Sequence, residues 1–246
     1  MGIDRERKEF LDAAFSEIWN AASDFERTID PDLPIRPAAP DFSPVTRTLA
    51  EEASTSAEVY GADLPRLEEI CRRCTSCRLA GTRTNVVFGT GSTNPLVMVI
   101  GEGPGYHEDV RGLPFVGDSG QYLDKWLAAI NLSRDTNVYI CNIVKCRPPQ
   151  NRDPMDDEIS ACRGYLIQQI RLLKPRAILG VGKFAAQFLC NSDRGISDLR
   201  GNFRIYSGIP VICTYHPSAV LRNPGLKRDV WEDLKKLSAF ITRASS

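Results

Sequence analysis

Four cysteines in two separated pairs constrain this chain most: Cys74 and Cys77 in CTSC, then Cys146 and Cys162 at the ends of CRPPQNRDPMDDEISAC. A metal centre closed between them would tie residue 74 to residue 162 and frame everything between. Four thiolates suit an iron–sulfur cluster or a zinc ion. The second pair is too widely spaced for a zinc ribbon, which favours the cluster. Cys71 makes C-x2-C-x2-C with Cys74 and Cys77, so it is either a substitute ligand or a helix residue one turn away. Cys141, Cys190 and Cys213 fall in apolar runs and read as core thiols.

Between and beyond the cysteines, apolar runs alternate with helical patterns. Strands are expected over 96–102, 137–144, 176–182 and 210–217. Helices are expected over 119–130, 155–173, 184–190 and 227–241, with Pro154 suited to a first helical turn. The alternation implies a three-layer α/β/α fold around a central four-stranded parallel sheet, with chemistry at the carboxyl ends of the strands. GEGPG (101–105), the CN of YICN (139–142) and the HP of TYHP (214–217) all fall at such ends.

Residues 1–29 read as an amphipathic helix. Residues 30–61 read as a Pro-rich linker and partly helical extension, with five prolines in DPDLPIRPAAPDFSPV (30–45) and a helix over 47–73. The folded body is expected over 62–246. Net charge is zero, but residues 1–60 hold 6 Lys/Arg against 13 Asp/Glu, leaving a basic body able to meet phosphates. No apolar run would cross a bilayer and no secretory core opens the chain, so a cytoplasmic protein with reduced thiols is expected.

GEGPGYHED (101–109), GLPFVGDSG (112–120), YICNIVKCRPPQNRDP (139–154) and HPSAVLR (216–222) with the KRDVW that follows resemble the family 4, iron–sulfur type of uracil-DNA glycosylase, over roughly residues 62–240. The resemblance implies a 4Fe-4S cluster, structural rather than redox, on Cys74, Cys77, Cys146 and Cys162, with zinc as the alternative. It also implies that the enzyme cleaves the N-glycosidic bond of uracil flipped out of single- or double-stranded DNA, acting as a monomer.

Each step of that chemistry has a candidate residue. Phe115 stacks on the base, and Asn142 reads it, with Asn151 in support. His216 stabilises negative charge on the departing base. Gly101 and Gly103 allow backbone to approach the base. Gly103 stands where other uracil glycosylases place an Asp, so Glu102 and Glu108 are the carboxylates expected to orient water or offset sugar charge. Ser218 and Arg222 meet phosphates, while Val220 or Leu221 wedges into the gap left by the base; Arg147, Arg152, Lys227 and Arg228 extend that face. Asp109 is expected as a helix cap and His107 as a solvent-facing residue. The competing reading is a uracil-DNA binding or tethering iron–sulfur protein with little turnover, for which residues 1–61 offer a site for a protein partner.

Overall fold

The computed structural model describes residues 57–243; the expected helix over 1–29 and most of the linker lie outside them. Every central strand is an apolar run bounded by polar or glycine positions. They are β2 (Val97–Gly101), β3 (Val138–Asn142), β4 (Ala177–Val181) and β6 (Ile209–Thr214). These four pair in parallel in the spatial order β3-β2-β4-β6. Two short antiparallel strands, β1 (Thr90–Gly91) and β5 (Arg204–Tyr206), complete a six-stranded sheet at its two edges.

Side chains alternate across a strand, and here the alternation sorts them into two cores. Met98, Ile100, Tyr139, Cys141, Ile178, Val211 and Cys213 face one layer. That layer is built on α2 (Leu64–Arg72), α5 (Asp156–Leu173) and α6 (Lys183–Cys190), which contribute Leu67, Leu166, Ile170 and Leu189. Val97, Val99, Ile140, Leu179 and Ile212 face the other. There α4 (Asp118–Ala128), α8 (Pro217–Arg222) and α9 (Lys227–Arg243) supply Leu123, Trp126, Val220, Leu234 and Leu237. Of three short helices, α1 (Ala57–Gly61) and α7 (Ile196–Leu199) add Val59 and Leu199 to the first core, and α3 (Tyr106–Arg111) adds no residue to either.

Several boundaries differ from expectation. The helix expected over 47–73 is interrupted between α1 and α2, where Asp63 accepts from the Arg66 amide and caps a new helix with Pro65 in its first turn. Pro154 precedes α5 rather than entering it, because Met155 is the N-cap and its amide donates to Glu158. The last central strand begins with a hairpin through Ser207 and Gly208, both at positive φ, and ends at Thr214. The His-Pro pair expected at its end instead opens α8. Among the described residues, no helix is long and apolar enough to cross a membrane.

The start of α4 packs hard against the loop before it. A Cβ on Gly120 would stand 1.9 Å from the Phe115 carbonyl oxygen. Gly120→Ala is therefore expected to lower stability by roughly 2–3 kcal/mol, the range for overpacking, read as a shift in urea midpoint at unchanged slope.

Candidate active site

Strand register begins the site. Gly101 pairs directly with Asn142 at the carboxyl ends of β2 and β3. A Cβ on Gly101 would lie 2.5 Å from Asn142 Oδ1 and 2.6 Å from Phe115 Cζ, so an amide and a ring edge converge on one bare Cα. Asn142 is 1% exposed and its Oδ1 has no hydrogen-bond partner. A buried acceptor left empty costs about 1–3 kcal/mol, which a donating ligand would recover. Gly103 also lets backbone crowd in, since a Cβ there would meet Val144 Cγ2 at 2.7 Å.

Phe115 sits at φ 52°, in the left-handed region that side chains rarely enter. Its turn is held from both sides. Glu108 Oε1 accepts from the amides of Val116 (2.8 Å) and Gly117 (3.0 Å). Arg134, anchored on Asp124, donates to the carbonyls of Pro114 and Phe115. Of the two carboxylates expected to orient water or offset sugar charge, Glu108 has one oxygen engaged in fastening the Phe115 turn.

The Phe115 and His216 rings lie 5.6 Å apart, centre to centre, at 33°. His216 is the N-cap of α8, and its Nδ1 accepts from the Ser218 amide (3.2 Å) and lies 2.8 Å from Ser218 Oγ. An Nδ1 that accepts leaves the ring proton on Nε2. Burial, and then the positive charge of Arg222, push the imidazole down to about 4, with Glu108 acting the other way. The ring is therefore neutral at physiological pH.

Gly182, at φ +93° after β4, was not among the expected site residues; a Cβ there would come 3.1 Å from His216 Cβ. The sequence signal is the second glycine of GVGK, where the strand meets the helix. Glu102, partly buried beside Gly101, is pushed up to about 7 by desolvation and then by Asp153, with Lys183 opposing.

Other expected residues are placed differently. Ser218 is committed to His216 rather than presented to a phosphate. Val220 is 1% exposed within the core and cannot wedge into DNA, whereas Leu221, the next residue of α8, is 37% exposed and Arg222 is exposed beside it. Asn151 is exposed and its Oδ1 accepts from Arg147 Nε at 2.7 Å. Arg147 lies over the exposed Tyr106 ring. Arg152 grips buried Glu158 with two hydrogen bonds, so it does not extend a free basic face. Asp109 caps no helix; it accepts from the Thr84 and Asn85 amides. His107 is exposed, as expected. Arg228 is exposed and Lys227 partly so, both at the start of α9.

Cys74, Cys77, Cys146 and Cys162 line one cavity together with Cys71, Arg83, Lys145 and Tyr165. Arg83 Nη1 donates to Cys146 Sγ and the Lys145 amide to Cys162 Sγ, each at 3.3 Å, the pattern that stabilises a coordinated thiolate. Burial pushes the Cys162 thiol up to about 12 and Cys71 upward as well. Thiols held protonated in this way ionise when a metal displaces the proton. Among the described residues, no three His, Cys, Asp or Glu side chains gather closely enough to hold a single metal ion.

The family model described as the uracil DNA glycosylase superfamily matches residues 88–235. A type-4 uracil-DNA glycosylase of Archaeoglobus fulgidus is 41% identical over 182 residues, covering 70% of this chain and 91% of that protein. One from Thermotoga maritima is 41% identical over 181 residues, covering 72% and 94%. A type-5 uracil-DNA glycosylase of Pyrobaculum aerophilum is 33% identical over 151 residues, covering 55% and 66%.

Holding His216 neutral has a consequence for stability. Its folded pKa of about 4 lies below the ordinary 6.5, so protons bind the unfolded chain first. The contribution is complete above pH 6.5 and is lost as pH falls toward 4. Between pH 7 and 4 the wild type should lose about 1–2 kcal/mol relative to His216→Gln, after discounting for partial exposure, measured by urea denaturation of both proteins at each pH.

Proposed function

Because the chain belongs to the type-4 branch of the uracil DNA glycosylase superfamily, we propose that it excises uracil from DNA and leaves an abasic site. The observation that carries this reading is the empty, buried Oδ1 of Asn142 beside the Phe115 ring. Uracil N3 bears a hydrogen and donates to that oxygen. Cytosine N3 is an acceptor and meets it lone pair to lone pair. The extruded base stacks on Phe115, and the bare backbone at Gly101 and Gly103 lets it approach the strand end.

Breaking the C1′–N1 bond moves its electron pair onto the base. His216 donates through Nε2 to uracil O2, where negative charge collects, and the hydrogen bond strengthens as the bond stretches. A neutral donor suits this step because it is not itself an acid strong enough to be lost at neutral pH. Glu102, pushed up to about 7, is the carboxylate we assign to take a proton from water as the water oxygen joins C1′. Uracil leaves as the anion and is protonated in solvent. Glu108 acts as a positioning residue through the Phe115 turn. Leu221 fills the gap in the strand and Arg222 meets the backbone.

The cysteine cavity suits a 4Fe-4S cluster: four thiols from three parts of the chain line it, and N–H donors reach two of the sulfurs. Cys74, Cys77, Cys146 and Cys162 would hold it, with Cys71 packed alongside at the end of α2. When bound, the cluster supplies a covalent tie between the loop after α2, the loop after β3 and α5. We place this activity in the cytoplasm, in a monomer acting on single- or double-stranded uracil-containing DNA.

A binding or tethering role with little turnover is not favoured, since the similar proteins carry glycosylase names. The test is a uracil-containing oligonucleotide incubated with the protein and then with alkali. Strand cleavage at uracil supports the proposal, and an intact strand overturns it. In the same assay His216→Ala should slow excision by about 10²- to 10³-fold, the loss expected for one charge-stabilising donor, while affinity for an abasic oligonucleotide changes little. Freshly purified protein should also show broad visible absorbance and close to four irons per chain; a colourless protein with one zinc would refute the cluster assignment.

A further inference from the structure

The largest fully buried side chain outside the proposed chemistry is a lysine. Lys145 is 1% exposed, stands next to Cys146 and lines the cysteine cavity. Its Nζ donates to the main-chain oxygen of Asn142 (2.8 Å) and to Gln169 Oε1 (2.6 Å). It forms no ion pair with a described carboxylate. Gln169 is itself fully buried and fixed by donating to the Phe88 carbonyl and the Tyr139 hydroxyl. At the other end of the same residue, the Lys145 amide donates to Cys162 Sγ.

A buried ammonium with only neutral partners is costly. It persists where a nearby negative charge offsets it and where its hydrogen bonds hold something in place. Ligated thiolates would supply the first, because Lys145 lines the cavity they share. The Asn142 carbonyl identifies the second. Asn142 ends β3, and its last peptide unit is held from two sides: the Ile143 amide donates to the Gly101 carbonyl, and Lys145 Nζ donates to the Asn142 carbonyl; without the second tie the strand end can shift and carry Oδ1 off the base. The structure assigns Lys145 as the positioning residue that ties the orientation of Asn142 to the cysteine centre, so that selectivity for uracil depends on the charge of that centre. This inference rests on the reading of Asn142 as the group that recognises the base.

The test compares affinities of the iron-loaded full chain for two oligonucleotides. One carries 2′-fluoro-2′-deoxyuridine, which presents the base but resists cleavage. The other carries a tetrahydrofuran abasic analogue, which presents none. Lys145→Met keeps length and apolar volume but removes charge and donors. It should lower the ratio of uracil to abasic affinity by tenfold or more, approaching the ratio of Asn142→Ala. An unchanged ratio, or an equal loss on both oligonucleotides, overturns the proposal and leaves Lys145 a purely structural residue. If Lys145→Met fails to fold or to retain iron, Gln169→Met decides. It removes the anchoring acceptor while leaving the cation, and should produce the same selective loss; an unchanged ratio there overturns the coupling. If Asn142→Ala leaves the ratio unchanged, the reading of Asn142 has failed rather than the role of Lys145.

Discussion

A methyl group does not fit at Gly101, and the rest of the site depends on that fact. The register of β2 and β3 sets Gly101 against Asn142, and the left-handed turn at Phe115 brings a ring edge to the same Cα. Both side chains need the space a Cβ would take. The surrounding structure is arranged to keep it open. Glu108 and Arg134 hold a backbone conformation that costs of order 1 kcal/mol or more, and the unsatisfied Asn142 oxygen adds a second local cost. Such costs are tolerated where a ligand relieves them or where preorganisation serves the reaction.

The two polar groups facing that space are controlled in different ways. His216 is set by its own neighbourhood: the amide and hydroxyl of Ser218, two residues on, fix the protonated nitrogen. Its direction follows from its place as a helix N-cap before Pro217. Asn142 is set from a distance, through Lys145 and Gln169 to elements on the far side of the first core. Under the proposed roles, charge stabilisation is a local property of one turn, and base selection a property of the packed body.

Much of this was legible in the sequence because strong local patterns agree with the tertiary structure. Apolar runs of strand length marked the four parallel strands, motifs at their carboxyl ends marked Asn142 and His216 as neighbours, and the family resemblance added Phe115. The edge strands were not legible: Thr90–Gly91 and Arg204–Tyr206 are too short and polar to carry a period. Contacts between residues of different elements were also hidden. Glu108 reaches the amides of residues 116 and 117, and Asp109 those of 84 and 85, neither of which spacing reveals. Val220 turns away from DNA because HPSAVLR folds as the short helix α8. The His-Pro start is an N-cap followed by a first helical residue, and helical rotation turns Val220 inward while Leu221 points out.

The way the sheet ends bears on how the protein behaves in concentrated solution. Unpaired strand edges invite other chains to add to them, and long flat ones seed fibrils. Here the parallel strands are flanked by an antiparallel strand of two residues on one side and of three on the other. Neither offers enough backbone to template a further strand. For the described residues, sheet extension is a poor route to self-association, and their helical faces and loops are the surfaces left for assembly.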